Sequence, residues 1–321
     1  MMRELQVSLN QTQKVRLQAA LQHLSDLASQ ASSSTLVVTV SDTIPVNGED
    51  GILKGHGTSE LDGKVVATLC GVVERVNKLV YVRTLRARYK PEVGDIIVGR
   101  VIEIAPKRWK LEINFSQNAV LMLQSMNLPD GIQRRRNAVD ELNMRSIFEE
   151  NDVVCAEVRG FQHDGSLHLQ ARSQKYGKLE RGQLLRVPAY LVKRRKQHFH
   201  DLEQYGVDLI LGCNGFIWVG EHAAPRVNDM VVDEEDSMVK DKEQHYETPL
   251  EIRQHICRIA NSVRLLAALG FALSVEAIID TTEASKSSNV EIKDMLGSEF
   301  YVQTAEREVQ RRISILKKKR G

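Results

Sequence analysis

From Leu209 to Gly220 the chain reads LILGCNGFIWVG, two apolar runs hinged on Gly212, Cys213, Asn214 and Gly215. Residues this apolar on both sides of a turn must be seated in a module's core or against a neighbouring module, because neither flank has a polar face to leave in water. A length of 321 residues with 42% apolar side chains allows two or three modules. The glycine spacing itself has two readings. In a KH domain a Gly-x-x-Gly loop clamps a nucleic-acid backbone, and small or basic residues face solvent so that amides reach the phosphates. In a structural turn the glycines serve close packing and positive φ. The apolar flanks weigh toward the turn, and a direct RNA clamp stays open.

Around this segment the sequence period changes several times. Residues 1–34 read as a polar helical extension, a docking arm or mobile tail, with Leu17, Leu21, Leu24 and Leu27 at helical spacing before the serine run. Residues 35–90 read as an N-terminal β domain built from TLVVTV, GKVVATLCGVVERV and KLVYVRTL, with Asn77-Lys78 turning a hairpin. Residues 91–173 carry DIIVGRVIEIA, RWKLEINF, DVVCAEVRGF and, after Asp164-Gly165, SLHLQAR, which suggest a five-stranded OB-type barrel. Trp109, Leu111, Ile113 and Phe115 share one face of the second strand and Arg108, Lys110 and Glu112 the other, so Trp109 belongs to the barrel core rather than to a stacking platform.

Residues 174–280 mix strands (LLRVPAYLV, FIWVG) with a helix over TPLEIRQHICRIANSVRLLAALG. Its expected punctuation is Thr248 as N-cap, Pro249 at the first helical position, Glu251 closing a capping box and Gly270 at the end. Ile252, Ile256, Ile259, Val263 and Leu266 form its apolar stripe. The charged segment 229–244 before it reads as a solvated insertion. In residues 281–321, TTEASKSSN reads as a linker and the remainder as a helix with a basic tail. The fold class expected is mainly β with α/β, with C-terminal helices.

No GxSxG, HExxH, Walker or strand-borne GxGxxG sequence is present, and KGHGTSE reads as a turn rather than a phosphate loop. His198, His200 and Asp201 in HFHDL lack a further ligand close in sequence for a metal, and Asp140 and Glu141, being adjacent, point apart. The expectation is no catalytic residue, no cofactor and no metal. Cys70, Cys155, Cys213 and Cys257 are widely spaced and fit free thiols in a reducing compartment. The longest apolar run, LLAALGFALSV, has about half the roughly 20 residues that span a bilayer, so a soluble intracellular protein without a membrane partner is expected.

Net charge is only +2, so any nucleic-acid footprint must be local. Three basic clusters qualify: Lys107, Arg108 and Lys110; Arg134, Arg135 and Arg136 with Arg145; and Lys193, Arg194, Arg195 and Lys196. Each alone is equally a solvated edge. Together, on an OB-type barrel beside an α/β module, they point to single-stranded RNA.

The stretches KGHGT, ERVNKL, RYKPEVGDIIVGRV, KRWK, SMNLP, RRRNAVDELNMR, RSQKYGKLERGQ, LVKRRKQHFHDL and GCNGFIWVG, in this order over about residues 36–220, resemble the KH- and S1-domain cap subunits of the RNA exosome, within them the ribosomal RNA-processing protein 4 type. The resemblance implies an N-terminal β domain, an S1-type OB barrel and a KH domain whose loop is GxNG, as Asn214 has it here. It implies a non-catalytic subunit, one of three cap proteins on a six-membered ring of RNase PH-like subunits, holding the ring together and lining the mouth through which single-stranded RNA is threaded. Ring contacts would fall mainly on the N-terminal domain and the pore on the basic S1 face. Nucleus, nucleolus and cytoplasm follow as locations, and the basic residues 317–320 permit nuclear import. A polynucleotide phosphorylase-like enzyme would need two further RNase PH-like domains for which this length leaves no room. A free-standing RNA-binding regulator is the remaining rival.

Overall fold

A computed structural model describes the chain except residues 1–6, 32–35, 46–52, 85–86, 128–135, 223–247 and 321. The serines at 32–34, Arg134, Arg135 and the charged segment 229–244 therefore lie outside the described residues. The chain forms two compact bodies, Ser8–Arg88 with Ser298–Gly321, and Tyr89–Gly297.

The first body opens with α1 (Gln11–Ala31). Asn10 caps it: its Oδ1 accepts the Gln13 N–H at 2.8 Å, and Gln13 Oε1 accepts the Asn10 N–H at 3.1 Å. The inward stripe is Leu17, Ala20, Leu24 and Leu27, while Leu21 turns outward. α1 lies along the helix Ser298–Arg320, where Arg16 forks onto Glu306 through two 2.9 Å bonds and reaches Glu299 at 2.9 Å. Within the extension, α1 is thus a docked arm.

Six short strands follow: β1 (Val37–Val38), β2 (Leu53–Lys54), β3 (Thr58–Leu61), β4 (Lys64–Ala67), β5 (Gly71–Val76) and β6 (Leu79–Thr84). β1, β5, β6 and β2 form one sheet in that order, over a core of Val38, Ile44, Ala67, Val80 and Val82; β3 and β4 form a separate hairpin. Asn77-Lys78 does turn β5 into β6, with Asn77 at φ +54. GKVVATLCGVVERV, expected as one strand, is two strands of different sheets, because Asp62-Gly63, both at positive φ, turns the chain one hairpin earlier. KGHGT is a turn: Thr58 donates its hydroxyl to Gly55 O at 2.8 Å, and Gly57 sits at φ +77 against Val82.

The second body begins with a barrel of β7 (Ile96–Ala105), β8 (Arg108–Glu112), β9 (Ala119–Met126), β10 (Val153–Phe161) and β11 (Leu167–Ala171). β7 pairs antiparallel with β8 and β10, β8 with β9, and β10 with β11; β11 running parallel to β9 closes the ring. Short helices α2 (Ala138–Leu142) and α3 (Met144–Ile147) lie between β9 and β10, and β12 (Gly177–Leu179) extends the sheet beside β10. Trp109, Leu111 and Ile113 fill the barrel with Ile97, Leu121, Val154 and Leu169, as the alternation requires, while Arg108 faces solvent. The Trp109 indole N–H donates to Phe148 O at 3.3 Å, so the ring is fully buried without an orphaned donor.

Then come β13 (Gly182–Arg186), β14 (Phe199–Leu202), β15 (Val207–Leu211) and β16 (Phe216–Glu221), an antiparallel sheet in the order β13-β16-β15-β14, with α4 (Leu250–Ala268) and α5 (Val275–Ser287). LLRVPAYLV is strand only to Arg186, because Pro188 opens a 3-10 turn over Ala189–Leu191. Thr248 does not cap α4: its hydroxyl donates to Glu221 Oε2 at 2.7 Å, and the cap position falls on Pro249 without a side-chain bond. TTEASKSSN is not a linker. Most of it is α5, capped by Ser274 Oγ and fastened to α4 where the Ser262 and Thr282 hydroxyls meet at 3.0 Å. Among the described residues no helix is long and apolar enough to cross a membrane.

Candidate nucleic-acid interface

The Gly212–Gly215 turn joins β15 to β16, and all four residues are buried. The reason lies on either side of the sheet. Leu185, Leu209, Ile217 and Val219 lie under α4, while Ile210, Phe216 and Trp218 pack on Val98 and Cys155 of the barrel. Asn214, with no exposed surface, is the fastening. Its Nδ2 donates to Val98 O at 2.7 Å and Ile113 O at 3.0 Å, its Oδ1 accepts from Phe216 N at 3.4 Å, and its own carbonyl accepts from Asn114 Nδ2 at 2.8 Å. The turn's amides are spent on protein too: Gly212 N donates to Phe216 O, Cys213 N to Ile96 O and Gly215 N to Gly212 O, at 2.9–3.0 Å. Burial, with the Asp95 charge next, pushes the Cys213 thiol up to about 11, so it stays a neutral packing group.

The basic clusters divide into fastened and exchangeable side chains. Arg194 is fastened: its Nε donates to Asp95 Oδ1 at 2.8 Å, and its terminal nitrogen donates to Asp95 Oδ2 at 3.0 Å and to Lys90 O at 2.7 Å. The Tyr89 hydroxyl adds a 2.9 Å bond to the same carboxylate. Burial alone would raise the Asp95 carboxyl, but Arg194, the Glu92 N–H and Tyr89 together hold it below the ordinary carboxylate range. Arg136 is likewise fastened, to the Leu123 and Met126 carbonyls. Lys107, Lys110 and Arg145 instead make exposed ion pairs with Glu141, Glu103 and Glu150 at 2.9–3.2 Å, each worth about 0–1 kcal/mol and readily exchanged for a phosphate. Arg108, Lys193, Arg195 and Lys196 are exposed.

Arg194→Met is expected to lower stability by roughly 3 kcal/mol in chemical denaturation, since it leaves a buried carboxylate without its countercharge, held only by the Tyr89 hydroxyl and the Glu92 N–H. The Asp95 contribution in the parent has a definite sign. Its folded pKa is depressed, so the stabilisation is complete above the unfolded carboxylate value and is lost as pH falls through the folded one. The variant should therefore lose this acid-limb dependence.

Beside Arg108, which the sequence pointed to, the structure places residues that the sequence reading missed. Arg159 near the end of β10, His168 on β11 and Arg108 on β8 share one electrostatic neighbourhood. Burial lowers the His168 imidazole first, Asp164 opposes, and the Arg159 and Arg108 charges lower it further. At the end of β10 Phe161 is 53% exposed, edge-on to Phe115 at 6.3 Å, which in turn meets Tyr89 at 6.5 Å. Gly160, at φ +143, breaks the β10–β11 register just here. The signal in the sequence was VRGF, a cation and an aromatic flanking a glycine at a strand end.

Asp140 closes the capping box of α2 and Glu141 pairs with Lys107, so the two share no proton site. The histidines of HFHDL part company with their aspartate. His198 is buried, its Nδ1 bonded to Leu211 O at 2.7 Å, whereas Asp201 projects from the other face of β14 toward Asp208 and His222.

Comparison with known proteins agrees with this architecture. A family described as the S1 domain of RRP4 matches residues 88–160, and a KH-domain family matches residues 182–225. An Arabidopsis thaliana protein named exosome complex component RRP4 homolog is 63% identical over 99% of this chain and 99% of its own. The exosome complex component RRP4 of Mus musculus is 42% identical over 89% of this chain and 93% of its own, and that of Saccharomyces cerevisiae 38% identical over 80% and 79%.

Proposed function

The chain belongs to the RRP4 family of exosome complex components, and on that premise we propose that it is a non-catalytic cap subunit that binds single-stranded RNA on its barrel. In this role it braces a ring of RNase PH-like subunits together with other cap subunits, and guides RNA into the ring for 3′ to 5′ processing and degradation. The observation that carries the reading is 63% identity to an exosome component across nearly the entire chain. The geometry supports it in two ways. The amides of Gly212, Cys213 and Gly215 are spent inside the protein and all four turn residues are buried, which leaves RNA contact to the barrel and the loop at 193–197. The barrel in turn offers phosphate partners in Arg108 and Arg159, exchangeable ones in Lys107, Lys110 and Arg145, and an exposed ring in Phe161. The proposed locations are nucleus, nucleolus and cytoplasm, in line with the basic residues 317–320.

Native mass spectrometry of the tagged protein purified from its own cells tests the assembly. A complex containing ring subunits is expected; a monomer carrying RNA would replace the cap reading with a free-standing RNA-binding regulator. On the reconstituted complex, Arg108→Ala with Arg159→Ala should reduce the slope of log affinity against log salt by about 1.4, at about 0.7 per lost phosphate contact on a single strand. Phe161→Ala should cost about 1–3 kcal/mol of RNA affinity. Assembly should be unaffected by either change. An unaltered salt slope would move the RNA path off this face.

A further inference from the structure

Asp201 in β14 and Asp208 in β15 are direct cross-strand partners in the KH sheet. Two carboxylates facing each other across an antiparallel pair repel, and a cation between them relieves that repulsion. His222, just past β16, reaches the same point: its Nδ1 is 2.8 Å from Asp208 Oδ1 and 3.5 Å from Asp201 Oδ1. The backbone that carries it is anchored, because the His222 main-chain N–H donates to Gly206 O at 3.0 Å. One ligand atom from each of the three residues lies within 4.8 Å of the other two.

These separations suit a small ion. Carboxylate oxygen and imidazole nitrogen bind zinc at about 2.0–2.2 Å, which sets neighbouring ligand atoms of a tetrahedron roughly 3.3 Å apart. The observed 2.8 and 3.5 Å straddle that edge length and the third separation is within 4.8 Å, so closing on an ion takes adjustments of about half to one and a half ångström in side chains that are 33–42% exposed. An imidazole with two carboxylates also selects among cations, since magnesium and calcium take all-oxygen shells while zinc, cobalt and manganese accept nitrogen. We propose that Asp201, Asp208 and His222 form a binding site for a divalent transition-metal ion of the zinc class, with water completing its coordination.

The competing occupant is a proton. Asp208 first and then Asp201 and Glu203 hold the His222 imidazole above its ordinary value, and the metal must displace that proton, so uptake strengthens as pH rises. The test uses the full-length, chelator-treated protein with Zn²⁺ alone in calorimetry and Co²⁺ as an absorbance probe, at about pH 6 and about pH 8. One equivalent bound more tightly at the higher pH is expected. His222→Ala and Asp208→Asn should each weaken binding by more than the roughly 10–100-fold that loss of an outer-shell partner costs. Asp201→Asn, on the exposed edge strand, serves if Asp208→Asn fails to fold. Absence of binding in the parent, or binding that persists in folded His222→Ala, overturns the proposal and leaves a proton-bridged ion pair.

Discussion

Asn214→Asp is expected to destabilise the protein by about 3–5 kcal/mol and to part the KH sheet from the barrel. The substitution changes almost no volume. What it changes is the sign of two contacts: where Nδ2 now donates to the Val98 and Ile113 carbonyls, a carboxylate oxygen would face two acceptors with no exposed surface through which water could help. Protonating the new carboxyl restores one donor, so the loss should shrink at acid pH. Chemical denaturation and limited proteolysis between the S1 and KH portions measure it. A variant that stays as stable as the parent but no longer captures RNA would make the turn an RNA clamp after all.

Gly215→Ala is expected to cost about 3 kcal/mol. Gly215 sits at φ +83, a conformation that costs an alanine about 1–2 kcal/mol. Its new Cβ would stand 2.3 Å from Val187 O and 3.0 Å from the Ala189 backbone. Those atoms belong to the segment whose Val187 N–H donates to Gly215 O at 2.8 Å, so relieving the clash breaks a bond worth about 1 kcal/mol. Gly165→Ala is the control. Gly165 has φ +77 but nothing within 4 Å of an added Cβ, and only the conformational cost of about 1–2 kcal/mol should appear in its melting or denaturant midpoint.

The barrel was legible because its signals are local: period-2 alternation through Trp109, Leu111 and Ile113, and turn residues between short strands. The double burial of β15 and β16 was legible for the same reason, since an unbroken apolar run has only one explanation in a sheet. Side-chain fates were less so. KRRK looks like four equivalent cations, yet Arg194 is spent on Asp95, 99 residues away, while its neighbours face water. No local pattern marks which arginine meets a buried carboxylate. The polar composition of TTEASKSSN suggested a linker, but Thr281, Thr282, Ala284 and Ser285 are buried, with Thr282 meeting Ser262 of the preceding helix α4. Tertiary contact overrode composition there, as it did for Thr248, whose hydroxyl found Glu221 instead of the helix end.

The clasp between α1 and the helix Ser298–Arg320 sets a timetable. Gln13 and Glu299, which bond across it at 3.2 Å, are 286 residues apart. At about 5–20 residues per second, a ribosome leaves α1 without its partner for roughly 15–60 s, long after the barrel and the KH sheet have had time to close. An isolated polar helix of this kind is marginal in water for all of that interval. The residues of α1 are thus among the last to reach their final place, and their body is completed only when Ser298–Arg320 has been made.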